Sequence, residues 1–166
     1  MVSFDLWIPA VTKPKETFAS AKKKADWGDA IIQLVIAGII AGLIGGFVGG
    51  ASLAGFLGSQ PGTTVTGAGT AVLGGIGAII GAIVTPIIYV VSLLVGCFIL
   101  NLLVNAIFKG KGELKQLYYV VSLYYAPLAI LSAVLSAIPV IGLATILVSL
   151  YELYLLYLAV KEVNQV

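Results

Sequence analysis

Apolar residues in this chain come in long runs rather than in alternation. From residue 30 onward five stretches are almost unbroken: Ala30 to Val48, Thr70 to Thr85, Ile87 to Phe108, Leu117 to Ile138, and Ile141 to Val160. Four of them approach or exceed the ~20 residues that a helix needs to cross ~30 Å of hydrocarbon. The pattern predicts an all-α fold, a polytopic integral membrane helix bundle with four or five crossings. The second stretch, TAVLGGIGAIIGAIVT, is short, rich in glycine, and stops at Pro86. A helix continuous from Thr70 to Phe108 would measure about 58 Å, more than one crossing needs even with tilt. A break near Thr85 and Pro86 is therefore expected, which makes the second stretch a short span or a re-entrant half-helix.

The polar intervals set the expected topology. Residues 49–69 hold Gly, Ser, Thr and Pro and no charge, so they read as a loop on the non-cytoplasmic side with turns near Gln60, Pro61 and Gly62. IPVIG, Ile138 to Gly142, is long enough only for a tight turn between two antiparallel helices. Lysines cluster before the first run (Lys13, Lys15, Lys22, Lys23, Lys24), between the third and fourth (Lys109, Lys111, Lys115), and near the end (Lys161). An even number of crossings puts all of them on one side, as the positive-inside tendency favours, and makes the N-terminus cytoplasmic. Residues 1–29 then form a cytoplasmic lead and residues 30–166 the membrane domain. Within the lead, Pro14 to Ala25 reads as an amphipathic helix with Phe18, Ala21 and Ala25 on one face, lying against headgroups with Trp7 and Trp27 at the interface.

Composition excludes several classes. Of the 166 residues 60% are apolar and 10% charged, with a mean hydropathy of +1.13, against about 25% charged in an ordinary soluble domain. Such a chain has too few polar side chains to coat a water-soluble surface. It has no histidine and one cysteine, Cys97, so disulfide frameworks and the usual zinc, haem and iron–sulfur ligand sets are excluded, and no cofactor is expected. A net charge of +2 is too small to imply nucleic acid as a partner. The glycines do not form a phosphate-binding loop, because GGIGAIIG lacks the G-x-G-x-x-G spacing and Gly110-Lys111 lacks the earlier glycine of a P-loop.

Packing accounts for the glycines better. Inside lipid, helices associate through close backbone approach and polar contacts. Gly38, Gly42, Gly46 and Gly49 recur along the first run, Gly77 and Gly81 along the second, and Ser122, Ala126, Ala129, Ala133 and Ser136 form a small-residue stripe on the fourth.

One residue stands out chemically. Glu152 lies in the middle of SLYELYLLYLAV, where an uncompensated charge costs about 2.5–3.5 kcal/mol or more. At 100° per residue Thr145, Ser149, Leu156 and Ala159 share its face, which turns the acid toward the bundle interior. Asn101 and Asn105 on the third run, or Tyr124 and Tyr125 on the fourth, are the candidate polar partners.

FKGKGELKQLYYVVSLYYAPLAIL (Phe108 to Leu131), followed by IPVIG and YELYLLYLAVKEV, resembles the membrane domain of the Yip (Ypt-interacting protein) family, particularly its short prokaryotic and archaeal members. Gly110-Lys111-Gly112, Gln116, Ala126-Pro127, Ile138-Pro139, Gly142 and Tyr154-Leu155 carry the match, and Pro14 to Phe18 is similar to a proline-x-x-x-phenylalanine element ahead of the first span. The resemblance implies a bundle described as five-spanning and a non-enzymatic role. Eukaryotic relatives associate with Rab-type small GTPases and with one another in vesicle trafficking. This chain lacks their long polar N-terminal region, which weighs against a small GTPase as its partner. The residues also have readings of their own: Gly110 and Gly112 permit a tight turn, and Pro127 bends the fourth helix and frees the Leu123 carbonyl.

The expected function is thus a non-enzymatic adaptor of the cell membrane, with the lipid bilayer, protein partners and further copies of itself as its contacts. The alternative is a small transporter or channel with an intramembrane site at Glu152. An intramembrane enzyme is not expected, for want of paired carboxylates or a serine–lysine or serine–histidine pair.

Overall fold

The apolar runs fold into four helices rather than five, and these are longer than the runs themselves. The computed structural model describes residues 3–138 and 144–165. Its helices are α1 (Trp7–Thr12), α2 (Pro14–Ala21), α3 (Trp27–Gly58), α4 (Gly67–Phe108), α5 (Leu114–Ser136) and α6 (Ala144–Asn164). The last four are long and apolar enough to cross a membrane. Pro139 and Gly142, and with them the expected IPVIG turn, lie outside the described residues.

The expected break at Thr85 and Pro86 is absent, since α4 continues through Pro86 for 42 residues. Pro86 cannot donate to the carbonyl of Ala82, yet it is buried against α3 at a place where α3 has no side chain. A Cβ on Gly38 would lie 2.5 Å from the Pro86 Cα. The neighbouring helix therefore splints the proline and holds both halves of α4 in line. Alongside it α3 runs 32 residues, about 48 Å. The pair projects together, so a length beyond one crossing is accommodated by a long antiparallel hairpin.

The hairpin closes along glycines. Gly42 meets Gly81 and Gly46 meets Gly77, backbone on backbone, and Gly50 meets Leu73 and Gly74. Pairing steps four residues forward on α3 for each four back on α4, the signature of antiparallel helices packed through one face. The seam continues through Gly50 rather than the expected Gly49, which faces open space. The connection turns where expected. Gly62 has φ +82° and the Thr63 N–H donates to the Gln60 carbonyl at 3.1 Å, with Pro61 in between, as a type II turn requires.

At the centre of the bundle is α5. Leu117, Tyr118, Tyr119, Val120, Ser122, Leu123 and Ala126 are essentially unexposed, and α3, α4, α6 and the lead all pack on this helix. The lead does more than lie on a surface. Ala10, Phe18 and Ala21 have no exposure and belong to the main core, with the Phe18 ring 5.8 Å from that of Tyr124. The expected helix is present from Pro14 to Ala21, but its apolar face is covered by protein instead of lipid.

Because the long helices alternate in direction, the lead, the α4–α5 connection and the end of α6 meet in one half of the molecule. Lys22 Nζ lies 2.8 Å from Glu162 Oε1, and the Lys111 N–H donates to the Asn164 carbonyl at 3.2 Å. Eight of the nine lysines belong to these segments and the ninth, Lys115, is the second residue of α5 next to the connection, whereas the α3–α4 connection, residues 59–66, has no charged residue. Four crossings thus meet the charge pattern that favoured an even number.

Candidate functional site

Glu152 faces into the bundle, as the helical periodicity predicts. It is half-buried at the junction of two lobes of a crevice whose floor is α5 and whose walls come from α6 on one side and α3 and α4 on the other. The crevice exists because α6 packs on α5 and the lead and scarcely touches α4. One lobe, about 390 Å³, is walled by aliphatic residues such as Leu93, Leu100, Leu153 and Leu156. The other, about 540 Å³, exposes the glycine seam together with Thr85, Ser132, Ser136 and Thr145. Glu152, Ser149 and Tyr125 line both.

Of the expected partners, Tyr124 and Tyr125 come to Glu152 and the asparagines do not. Tyr124 is 2% exposed and lines the aliphatic lobe. Tyr125 stacks edge-on with Tyr89, ring centroids 5.3 Å apart at 81°. Among the described residues the hydroxyls of these three tyrosines and the Glu152 carboxylate form no hydrogen bond or ion pair. Ser149 donates to the Thr145 carbonyl at 3.0 Å, and the two residues, four apart, lie on the same face of α6. Asn101 and Asn105 line neither lobe. The Asn101 Oδ1 is buried with no hydrogen-bond partner among the described residues, while Asn105 sits beside Gly110 at the end of α4. Tyr89 escaped the sequence reading because its place depends on how α4 is rotated.

The Gly110-Lys111-Gly112 motif has a different cause from the one expected. The left-handed residue that ends α4 is Lys109, with φ 53°, and neither glycine has a positive φ. The glycines are needed for close approach to the last turn of α6. A Cβ on Gly110 would stand 3.0 Å from the Asn164 Cβ, and one on Gly112 would stand 2.5 Å from the Asn164 Oδ1. Lys111 points outward while its backbone holds the Asn164 carbonyl. Gln116 lies partly buried in the first turn of α5, and Pro127 is partly buried within the same helix. Gly112→Ala should therefore lower stability by roughly 2 kcal/mol, measured by thermal unfolding in detergent, while Gly96→Ala, at a site with open space, should not.

A polar cluster that the sequence reading did not single out fastens the lead. Asp29, in the first turn of α3, accepts from the Ser3 N–H (3.1 Å), the Ser3 hydroxyl (2.8 Å), the Tyr119 hydroxyl (3.1 Å) and Gln33 Nε2 (3.2 Å). Gln33 in turn accepts from the Trp7 indole at 2.9 Å. The Asp26 side chain caps α3 by accepting from the Asp29 N–H at 2.9 Å, so the carboxylate of Asp29 also sits where the helix dipole favours negative charge. Further along, the Tyr151 hydroxyl donates to the Val11 carbonyl at 2.6 Å, and Lys22 Nζ donates to the Glu162 carbonyl at 2.7 Å. Asp29 and Gln33, four residues apart at the head of an apolar run, were the available signal.

The model of the Yip1 domain family matches residues 9–166. The chain therefore belongs to the Yip1 family and is an integral membrane protein of that family. No curated relative and no solved structure matches it.

Proposed function

We propose that this Yip1-family chain is a non-enzymatic adaptor that organises protein contacts at the plasma membrane, with its N-terminus in the cytoplasm. The observation that carries the reading is the docked lead. Its Ala10, Phe18 and Ala21 side chains are buried in the core, and Lys13, Lys15, Lys23 and Lys24 are displayed from the packed helical surface around them. Lys109, Lys111 and Lys161 are exposed in the same half of the molecule. A cationic surface held in one geometry steers and orients an acidic partner at lower entropic cost than a flexible tail could. The positive-inside tendency places that surface in the cytoplasm.

Photocrosslinking in native membranes tests the reading. A photoreactive residue at Lys23 should capture defined protein partners, a second copy of the chain being one candidate, whereas the same residue at Thr63, at the uncharged end, should capture few. Equal capture at both sites would remove the lysine surface as the contact. The crevice around Glu152 favours a second reading, a small transporter with a midplane site. Sealed proteoliposomes that pass a cation through wild-type protein but not through Glu152→Gln would replace the adaptor with it.

A further inference from the structure

The crevice carries an inference that does not rest on the adaptor reading, because it concerns the interior wall of the bundle and not its lysine surface. We infer that the crevice between α4 and α6 binds a lipophilic ammonium, with its head beside Glu152 and its alkyl chain in the aliphatic lobe. Four observations lead there. The Glu152 carboxylate is half-buried in a segment apolar enough to span a membrane and has no cationic partner among the described residues. Tyr124 is 2% exposed, lines the same lobe, and its hydroxyl is likewise without a hydrogen-bond partner among the described residues. Tyr89 and Tyr125 present an edge-to-face aromatic pair at the junction. Below them the lobe is lined by leucines and by Val121.

Each feature narrows the ligand. A carboxylate in a low-dielectric wall calls for a cation, since an unpaired charge there is costly. Phenol oxygens can accept from an N–H and phenol rings favour an ammonium through their negative faces. A divalent metal would need several hard oxygen donors, usually more than one carboxylate, and the described residues contain no such cluster. The aliphatic lobe has no use for a small hydrated ion but accommodates a chain of methylenes. The opposite lobe, with its hydroxyl-bearing wall, leaves room for water around the head. A neutral lipid tail would fill the leucine-lined lobe but leave the acid and the tyrosine hydroxyls unpaired.

The probe is dodecylamine with a diazirine near its chain end, photolysed with the full chain in maltoside micelles, with the dodecyl alcohol carrying the same diazirine as comparison. The amine is expected to label the crevice walls, around Leu93 to Leu100 and Leu153 to Leu156, and to be displaced by unlabelled dodecylamine. Glu152→Gln should lower that labelling by about tenfold and leave the alcohol's unchanged. Tyr124→Phe keeps the ring and removes the hydroxyl, and should lower the amine's labelling by about threefold. If Glu152→Gln fails to fold, Glu152→Asp, which keeps the charge, should retain the preference for amine over alcohol, and loss of that preference in a folded Asp variant overturns the inference. So does equal labelling of the wild type by amine and alcohol, or wild-type labelling in both Glu152→Gln and Tyr124→Phe. Exchange of sodium for potassium at constant ionic strength should have no effect. A change there would mark an inorganic cation site instead.

Discussion

Gly42→Leu is expected to destabilise the protein by about 3 kcal/mol or more and to leave little of it recoverable as a monodisperse species in detergent. A Cβ at this position would run into the carbonyl and carbonyl carbon of Gly81 and stand 2.9 Å from the Thr85 hydroxyl. Two of these obstacles are helix backbone and cannot rotate away. Relief requires α3 and α4 to separate along their whole contact, because Gly46 against Gly77 and Gly50 against Leu73 lie on the same seam. Gly49→Leu is the matched control. Nothing lies within 4 Å of a Cβ there, so the substitution should stay within about 0.5 kcal/mol of wild type or gain slightly from the better helix former. Thermal unfolding of the two variants in one detergent reads the difference. Equal stability would mean that the glycines do not hold the hairpin.

The same seam shows what the sequence could and could not disclose. Spacing of four residues marks a helical face, and Gly38, Gly42 and Gly46 were legible on that ground. The next member was not, because Gly49 and Gly50 are both glycines and only the register against Leu73 and Gly74 selects between them. The unbroken α4 was missed for a related reason. Bilayer thickness limits how much helix is covered by lipid, but it does not limit how far two helices can extend while covering each other. Glu152 sits at the opposite extreme. Its own face, with Thr145, Ser149 and Leu156, could be read from 100° steps because that is a property of one helix. Tyr89, which shares the crevice with it, could not, since one helix's periodicity says nothing of how the next is rotated or which helices are neighbours.

The lead was the least legible part, and it carries the second large prediction. Asp29→Ala should cost about 3 kcal/mol and release the lead from the bundle. The loss exceeds that of a surface bond because the groups left behind are covered: Gln33 is 0% and Tyr119 1% exposed, and neither can turn to water in place. Asp29→Asn should cost less than about 1 kcal/mol. Its oxygen can keep the Ser3 N–H and Gln33, and its amide can donate to the hydroxyl oxygens of Ser3 and Tyr119, which lie 3.2 Å apart. Hydrogen exchange separates release from global unfolding. In Asp29→Ala, amides of α1 and α2 should exchange faster while those of α3 and α4 stay protected, and trypsin should cut sooner at Lys22, Lys23 and Lys24. If Asp29→Ala instead protects α1 and α2 as wild type does, the burial of Ala10, Phe18 and Ala21 is sufficient by itself to hold the lead. The carboxylate would then fix its orientation without holding it down, and the lysines it carries would keep their display.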